Sequence, residues 1–303
     1  NWSLLAGVRV DQHQLNMFAT NAAIPDTFNP AIPRPAQAIK RNYTPFSANL
    51  GVVYHATPEL TFKVNSSTGY TAPNYAQLAA FGKHEGTYRF EAGDNNLSME
   101  KNVEVDGTIQ YDNSNVSISL NGYLNHIRDY IYINPTADSV KGLRIYRWVQ
   151  HDANINGLEL GFQLHPSDAK WFEGFVRAGF VRGMLTSSAG DLPYIPATKV
   201  ITGLTFKKEN MGSWKQSYVT LQTSIYGKQS KVAQFEEATD GYFLADLFIG
   251  TTAPFGKHNR WNIVAFCTNL FNKGYFNHLS LVKTIDIREP GRNIGAQVRY
   301  SFQ

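Results

Sequence analysis

Asn293-Ile294-Gly295-Ala296-Gln297-Val298-Arg299-Tyr300-Ser301-Phe302 alternates strictly: Ile294, Ala296, Val298, Tyr300 and Phe302 against Asn293, Gly295, Gln297, Arg299 and Ser301. Successive side chains of a strand point to opposite faces, so the segment reads as a strand with one apolar and one hydrated face. The period recurs upstream. Val103, Val105, Gly107, Ile109 and Tyr111 oppose Asn102, Glu104, Asp106, Thr108 and Gln110, and Val116, Ile118, Leu120, Gly122 and Leu124 oppose Asn115, Ser117, Ser119, Asn121 and Asn125.

Alternation alone fits any half-buried antiparallel sheet. Length discriminates: soluble strands run about 5–6 residues, whereas tilted membrane strands need about 9–11. The pattern gives about twelve long segments, at 2–18, 43–56, 59–70, 99–112, 115–133, 143–165, 171–186, 198–210, 213–228, 241–254, 259–273 and 291–302. Their connectors are short at 57–58, 112–115, 166–170, 209–212 and 255–258. They are long at 19–42, 71–98, 134–142, 187–196, 228–240 and 274–290. Short turns on one rim and long loops on the other are the habit of an outer-membrane barrel. The expected fold is therefore all-β, a transmembrane antiparallel β-barrel, with 1–303 as one domain. The proline-rich stretch 19–42 (Pro25, Pro30, Pro33, Pro35) cannot continue a strand ladder and reads as a surface loop. Tyr111, Tyr130, Tyr132, Trp148, Trp171, Trp214 and Trp261 fall near segment ends, where rings would form the girdles at the lipid boundary.

Composition narrows the functional classes. Charged residues make up 17% of the 303 and the net charge is +4, with no Lys/Arg stripe, so a nucleic-acid partner is not expected. No apolar run is long enough for a membrane helix. The single cysteine, Cys267, forms no internal disulfide. Asn1-Trp2-Ser3-Leu4 carries no signal peptide, so an export signal is expected upstream. Enzyme chemistry finds no support: there is no Gly-x-Ser-x-Gly elbow or phosphate loop. His151 and Asp152 are neighbours on a strand, pointing apart. Arg177 and Arg299 are expected to pair with Glu173, Asp106 or Glu104.

Several stretches resemble the barrel of TonB-dependent outer-membrane receptors. They are Gly69-Tyr70-Thr71-Ala72-Pro73-Asn74-Tyr75-Ala76-Gln77-Leu78, then Phe90-Glu91-Ala92-Gly93-Asp94-Asn95-Asn96-Leu97-Ser98-Met99-Glu100. Thr268-Asn269-Leu270-Phe271-Asn272-Lys273 and the closing strand after Pro290-Gly291-Arg292 complete the set. Thr71 stands where the family usually has arginine, and Ser98-Met99 replaces lysine-proline. The resemblance implies the C-terminal part of a barrel of about twenty-two strands, with a plug and a TonB-contacting motif lying outside this chain. It implies TonB, outer-membrane lipid and lipopolysaccharide as partners, with a surface lipoprotein or other outer-membrane subunits as further ones, in a Gram-negative outer membrane.

Within that family, Phe81-Gly82-Lys83-His84-Glu85-Gly86-Thr87 resembles a stretch of zinc-uptake receptors, with Phe81 in place of their first histidine. The implied cargo is zinc or another metal ion, carried by His84, Glu85, Glu91 and His278, since imidazole and carboxylate complete tetrahedral zinc sites. No permanently bound cofactor is expected. Haem, a siderophore or other metal chelate, or a peptide is the alternative cargo, and a structural subunit of an outer-membrane assembly the alternative role. His55, His165 and His258 fall at short turns and are assigned no ligand role.

Overall fold

Ile294, Val298 and Phe302 are 74%, 59% and 77% exposed, so none of the described residues covers the apolar row of the last segment. The computed structural model describes residues 1–18, 38–84, 86–186, 190–255 and 259–302. In chain order the elements are β1 (Trp2–Val10), β2 (His13–Met17), β3 (Ile39–Tyr43), β4 (Phe46–His55), β5 (Leu60–Thr71), α1 (Tyr75–Ala79), β6 (Phe81–His84), β7 (Arg89–Ala92) and β8 (Glu100–Asp112). There follow β9 (Val116–Val140), β10 (Leu143–Leu164), β11 (Phe172–Leu185), β12 (Lys199–Met211), β13 (Trp214–Tyr226), β14 (Tyr242–Phe255), β15 (Asn259–Thr268) and β16 (Asn293–Ser301).

One sheet runs β1-β4-β5-β8-β9-β10-β11-β12-β13-β14-β15-β16, with β6 and β7 off that path. Every step along the path is antiparallel. Among the described residues β1 pairs only with β4 and β16 only with β15, so the path is an open wall.

Register makes the apolar face continuous. Trp2 lies opposite Tyr54, Tyr54 opposite Phe62, Phe62 opposite Ile109, Ile109 opposite Leu120 and Leu120 opposite Leu160. At the short-turn rim the rings stack: Trp2 on Tyr54 at 4.3 Å, Trp171 on Phe206 at 6.1 Å, Trp261 against Tyr300 at 4.5 Å. The other face is polar and cross-bonded. Asn65 donates to Asp106 at 3.1 Å, Lys63 to Gln110 at 3.1 Å and Asn121 to Thr108 at 2.9 Å. A wall that is apolar outside and wet inside suits a lipid-embedded barrel.

Several expectations are corrected. Residues 134–142 are no loop: β9 and β10 extend through them to a two-residue turn, Lys141-Gly142, with φ of +50° and +78°. Positive φ at both positions matches the twist of a tight hairpin, which glycine tolerates. Segments 2–18 and 43–56 each break, because β2 pairs with β3 in a separate small sheet. The 71–98 connector folds into α1 and the β6–β7 hairpin, and β7 runs parallel to β10 at Ile145–Arg147.

Tyr130, Tyr132 and Trp148 form no lipid girdle. At Asp129 (φ +57°) β9 holds an extra residue against the 151–153 region of β10, and a bulge of one residue flips every later side chain. Tyr132 then packs with Ala153, Leu192 and Ile195, and Trp148 with Leu78, Leu97 and Ile131. At the same bulge His151 meets the Tyr132 hydroxyl at 3.1 Å, while Asp152 accepts from the Asp129 amide at 3.0 Å. Glu173 pairs with Lys207, and Arg177 lies 4.9 Å over the Phe175 ring, so the expected arginine–carboxylate pair does not form there.

Candidate functional site

The long-loop rim is built by asparagines and glycines at places where other residues fail. Asn74 caps α1: it accepts from the Gln77 amide at 3.0 Å and its own amide donates to the Gln77 side chain at 2.7 Å, a capping box. The helix presses Leu78 into a cluster with Leu15, Leu97 and Ile131. Gly93 passes beneath it so closely that an added Cβ would lie 2.6 Å from the Ala79 nitrogen. Asn269 takes φ +50°, donates to the Lys273 carbonyl at 2.9 Å, accepts from the Lys273 amide at 2.8 Å, and donates its amide to Asp246 at 2.8 Å. Asn272, at φ +51°, accepts from the Arg292 amide at 2.9 Å. These two side chains fasten the tops of β14, β15 and β16, because asparagine adopts the left-handed conformation and bonds backbone locally.

On this scaffold a chain of buried charges joins four connectors. Glu91 Oε1 lies 2.6 Å from Arg89 Nη2, with side chains 9% and 12% exposed. Arg89 rests 4.8 Å over the Tyr146 ring and donates to the Tyr194 hydroxyl at 3.4 Å. Tyr194, at φ +58°, donates its backbone amide to Glu236 at 3.0 Å. Glu236 Oε1 stands 3.2 Å from His278 Nε2 and 3.7 Å from Lys283 Nζ. The other imidazole nitrogen meets the Thr239 hydroxyl at 3.0 Å, and Lys283 donates to the His278 carbonyl at 2.7 Å.

The electrostatics follow from burial. Burial pushes the Glu236 carboxyl up, but the His278 imidazole 3.2 Å away and hydrogen bonds from the Tyr194 and Ala233 amides outweigh it and hold the group below the usual carboxylate range. Burial lowers Lys283, with Glu236 and Glu237 opposing the shift. Burial also raises the Tyr194 phenol.

Two of the sequence-predicted site residues, Glu91 and His278, therefore sit at opposite ends of one network, each committed to a counter-group. His84 is apart from it: exposed, with Nδ1 at 3.0 Å from the Thr87 hydroxyl. Glu85 and His258 lie outside the described residues. Among the described residues no three His, Cys, Asp or Glu side chains gather as a metal site. The remaining turn histidines serve neighbours, His55 at 2.9 Å from Thr61 and His165 at 3.1 Å from Ser117.

Arg89, Tyr194, Glu236 and Lys283 escaped the sequence reading. The one available signal was Lys283 itself, a cation set among Leu279, Leu281, Val282 and Ile285.

Two cavities flank the network. One, of about 300 Å³, is lined by Lys199, Tyr226, Thr239, Tyr242 and His278. The other, of about 530 Å³, is lined by Tyr242, Lys273, Tyr275, Lys283, Asp286 and Arg288. A column of rings separates them: Tyr226 on Tyr242 at 4.4 Å and Tyr242 on Tyr275 at 4.3 Å, with Lys199 5.0 Å over the Tyr226 ring. The lining can stack a planar group and neutralise an anion.

Residues 1–270 match the family described as TonB dependent receptor-like, beta-barrel. Solved structures share the fold. The copper transporter OprC superposes with TM-score 0.78 at 19% identity, over 99% of this chain and 45% of that one. The FrpB iron transporter from Neisseria meningitidis gives 0.69 at 14%, over 98% and 42%. The siderophore receptor PirA from Acinetobacter baumannii gives 0.61 at 18%, over 87% and 42%. The chain spans less than half the length of these proteins.

Proposed function

We propose a function from one premise, that this chain belongs to the TonB-dependent receptor β-barrel family and so lies in the outer membrane: it is the C-terminal wall of an uptake receptor for a metal chelate. The family's members are transport proteins, not enzymes. Further strands and a plug would complete the barrel, and TonB, pulling on the plug, would supply the energy.

The observation that carries the chelate reading is the pair of ring-lined cavities beside the Glu236–His278–Lys283 cluster. A pocket of about 530 Å³ suits a small organic ligand, and small-molecule sites span roughly 300–1,000 Å³. A bare ion needs several converging donors, and Glu91 and His278 are already paired. Iron and siderophore carriers among the similar folds support the same reading.

A second reading, uptake of free zinc or copper, rests on His84. Thr87 holds its Nδ1 and leaves Nε2 as the metal-facing nitrogen. Glu85, Glu91 and His278 would complete the set after the loops rearrange.

The test is growth of a deletion strain under metal limitation, supplied with ferric chelates or with bare zinc or copper. Complementation with Tyr275→Ala should abolish chelate-dependent growth and leave growth on bare ions intact. Loss of growth on bare zinc with His84→Ala, and normal chelate use by the deletion strain, would replace the first reading with the second.

A further inference from the structure

The wall contains two kinds of strand pair. Five are joined at the short-turn rim: β4–β5, β8–β9, β10–β11, β12–β13 and β14–β15. The other six, β1–β4, β5–β8, β9–β10, β11–β12, β13–β14 and β15–β16, are joined at the opposite rim. A tight turn fixes the register of the strands it joins. A long connector does not, because the cost of closing a loop depends only weakly on its length. The β9–β10 pair belongs with the second kind. It ends in a tight turn, but register shifts at Arg144/Tyr146 and His151/Ala153 separate that turn from the rest of the pair.

Alternation cannot supply the missing register. A slip of one residue turns the wrong face outward, yet a slip of two returns every side chain to its own face. Some other feature must reject the two-residue slip at the six long-rim junctions.

Each junction holds one such feature. A glycine on one strand lies under the side chain of the residue directly opposite it on the other. Gly7 lies under Asn49, Gly69 under Asn102 and Gly157 under Tyr123. Gly203 lies under Phe175, Gly250 under Tyr218 and Gly295 under Phe266. The seats exist because no Cβ fills them. One added at Gly157 would lie 2.5 Å from the Tyr123 ring, and one at Gly7 or Gly69 would lie 2.5 Å from the asparagine oxygen. All six are on the polar, inner face, in register with Asn65, Asp106 and Asn121.

Among the described residues, no glycine is covered in this way by its partner across a short-turn pair. The nearest case is Gly51, where an added Cβ would clear Asn65 by 3.3 Å. Glycine inside a strand weakens it and marks a close approach. Here the close approaches fall where the connectors leave register open.

We infer that the six glycine seats are register keys, each fixing how one strand pair docks on the next. A two-residue slip would set Phe175 against Ile201 or Thr205, and Tyr218 against Phe248 or Thr252. Phe266 would meet Asn293 or Gln297. Each of these has a Cβ where the side chain must lie. The long loops then carry no register information, so they can change length without shifting a strand.

The test uses the full receptor in outer membranes, with Cys267→Ser and engineered cysteine pairs oxidised by copper phenanthroline. Val176→Cys/Thr202→Cys reports the native register, and Val176→Cys/Leu204→Cys reports a slip of two. The unaltered key should cross-link the first pair alone. Gly203→Thr/Thr205→Gly offers Phe175 a glycine two residues along. It should raise the second cross-link about fivefold, the ratio that one aromatic cross-strand contact can set. Phe175→Ala removes the key without adding a clash and should raise it too. Deleting Ser187 and Ser188 from the connector should leave the first cross-link unchanged.

Native cross-linking alone in both the exchange and Phe175→Ala variants overturns the inference. So does a slip produced by the loop deletion with the key intact, which would place the register in the connector. Should the exchange variant fail to assemble, Phe175→Ala decides by itself. None of these results depends on the cargo of the receptor.

Discussion

His278 Nε2 lies 3.2 Å from Glu236 Oε1, joining two different long loops through side chains only 2% and 5% exposed. With Lys283 beside them and Tyr194 bonded from a third loop, the contact makes the rim one body. Breaking it unties the last loop without touching the wall.

That link predicts an acid response. The Glu236 carboxyl is held below its ordinary value, so its stabilisation is complete above the unfolded carboxylate pKa of about 4.3 and is lost as pH falls through the lower folded value. Protection of residues 274–290 against hydrogen exchange, taken relative to the intrinsic rate at each pH, should fall below about pH 4.3 while β13 and β14 stay protected. Glu236→Gln should raise exchange at pH 7 and flatten the dependence.

Arg89 and Glu91 form the partly screened other end. Arg89→Met leaves the Glu91 carboxylate buried without its counter-charge, which costs about 3–5 kcal/mol when such a pair is broken. The 71–98 connector should become protease-sensitive. Arg89→Met/Glu91→Leu should recover much of the loss, measured as a double-mutant cycle.

Gly93→Ala should release α1. Its Cβ would meet the Leu78, Ala79 and Ala80 backbone at 2.6–2.8 Å, and backbone cannot step aside as a side-chain tip can. Trypsin cleavage after Lys83, an exposed residue, should rise several-fold in the intact protein. No change in cleavage would mean that α1 is not seated as described.

The wall predicts a face-dependent cost. Leu221 faces outward and Gln222 inward on adjacent positions of β13. Leu221→Arg should destabilise the bilayer-inserted protein by about 2–4 kcal/mol, and Gln222→Arg by far less. Equal costs in lipid vesicles would contradict the assigned faces.

Much of the wall was legible because strand periodicity is local. Ile294 through Phe302 declares its two faces without reference to any other segment, and the family boxes sit where Asn269, Asn272 and Gly93 prove to need their conformations. The residues 134–142 misled for a local reason too: Asn134-Pro135-Thr136 has turn-like composition, yet Thr136 bonds the Ile145 carbonyl at 3.1 Å and the hairpin continues.

What the sequence alone determined is the alternation, the two unlike rims and the family. Tertiary structure decided the rest. The bulge at Asp129 turned Tyr132 inward, and the stagger of neighbouring strands brought Tyr194, Glu236, His278 and Lys283 together. No local pattern specifies such a meeting, because each loop's position is set by the strands that carry it, and its partners lie far away along the chain.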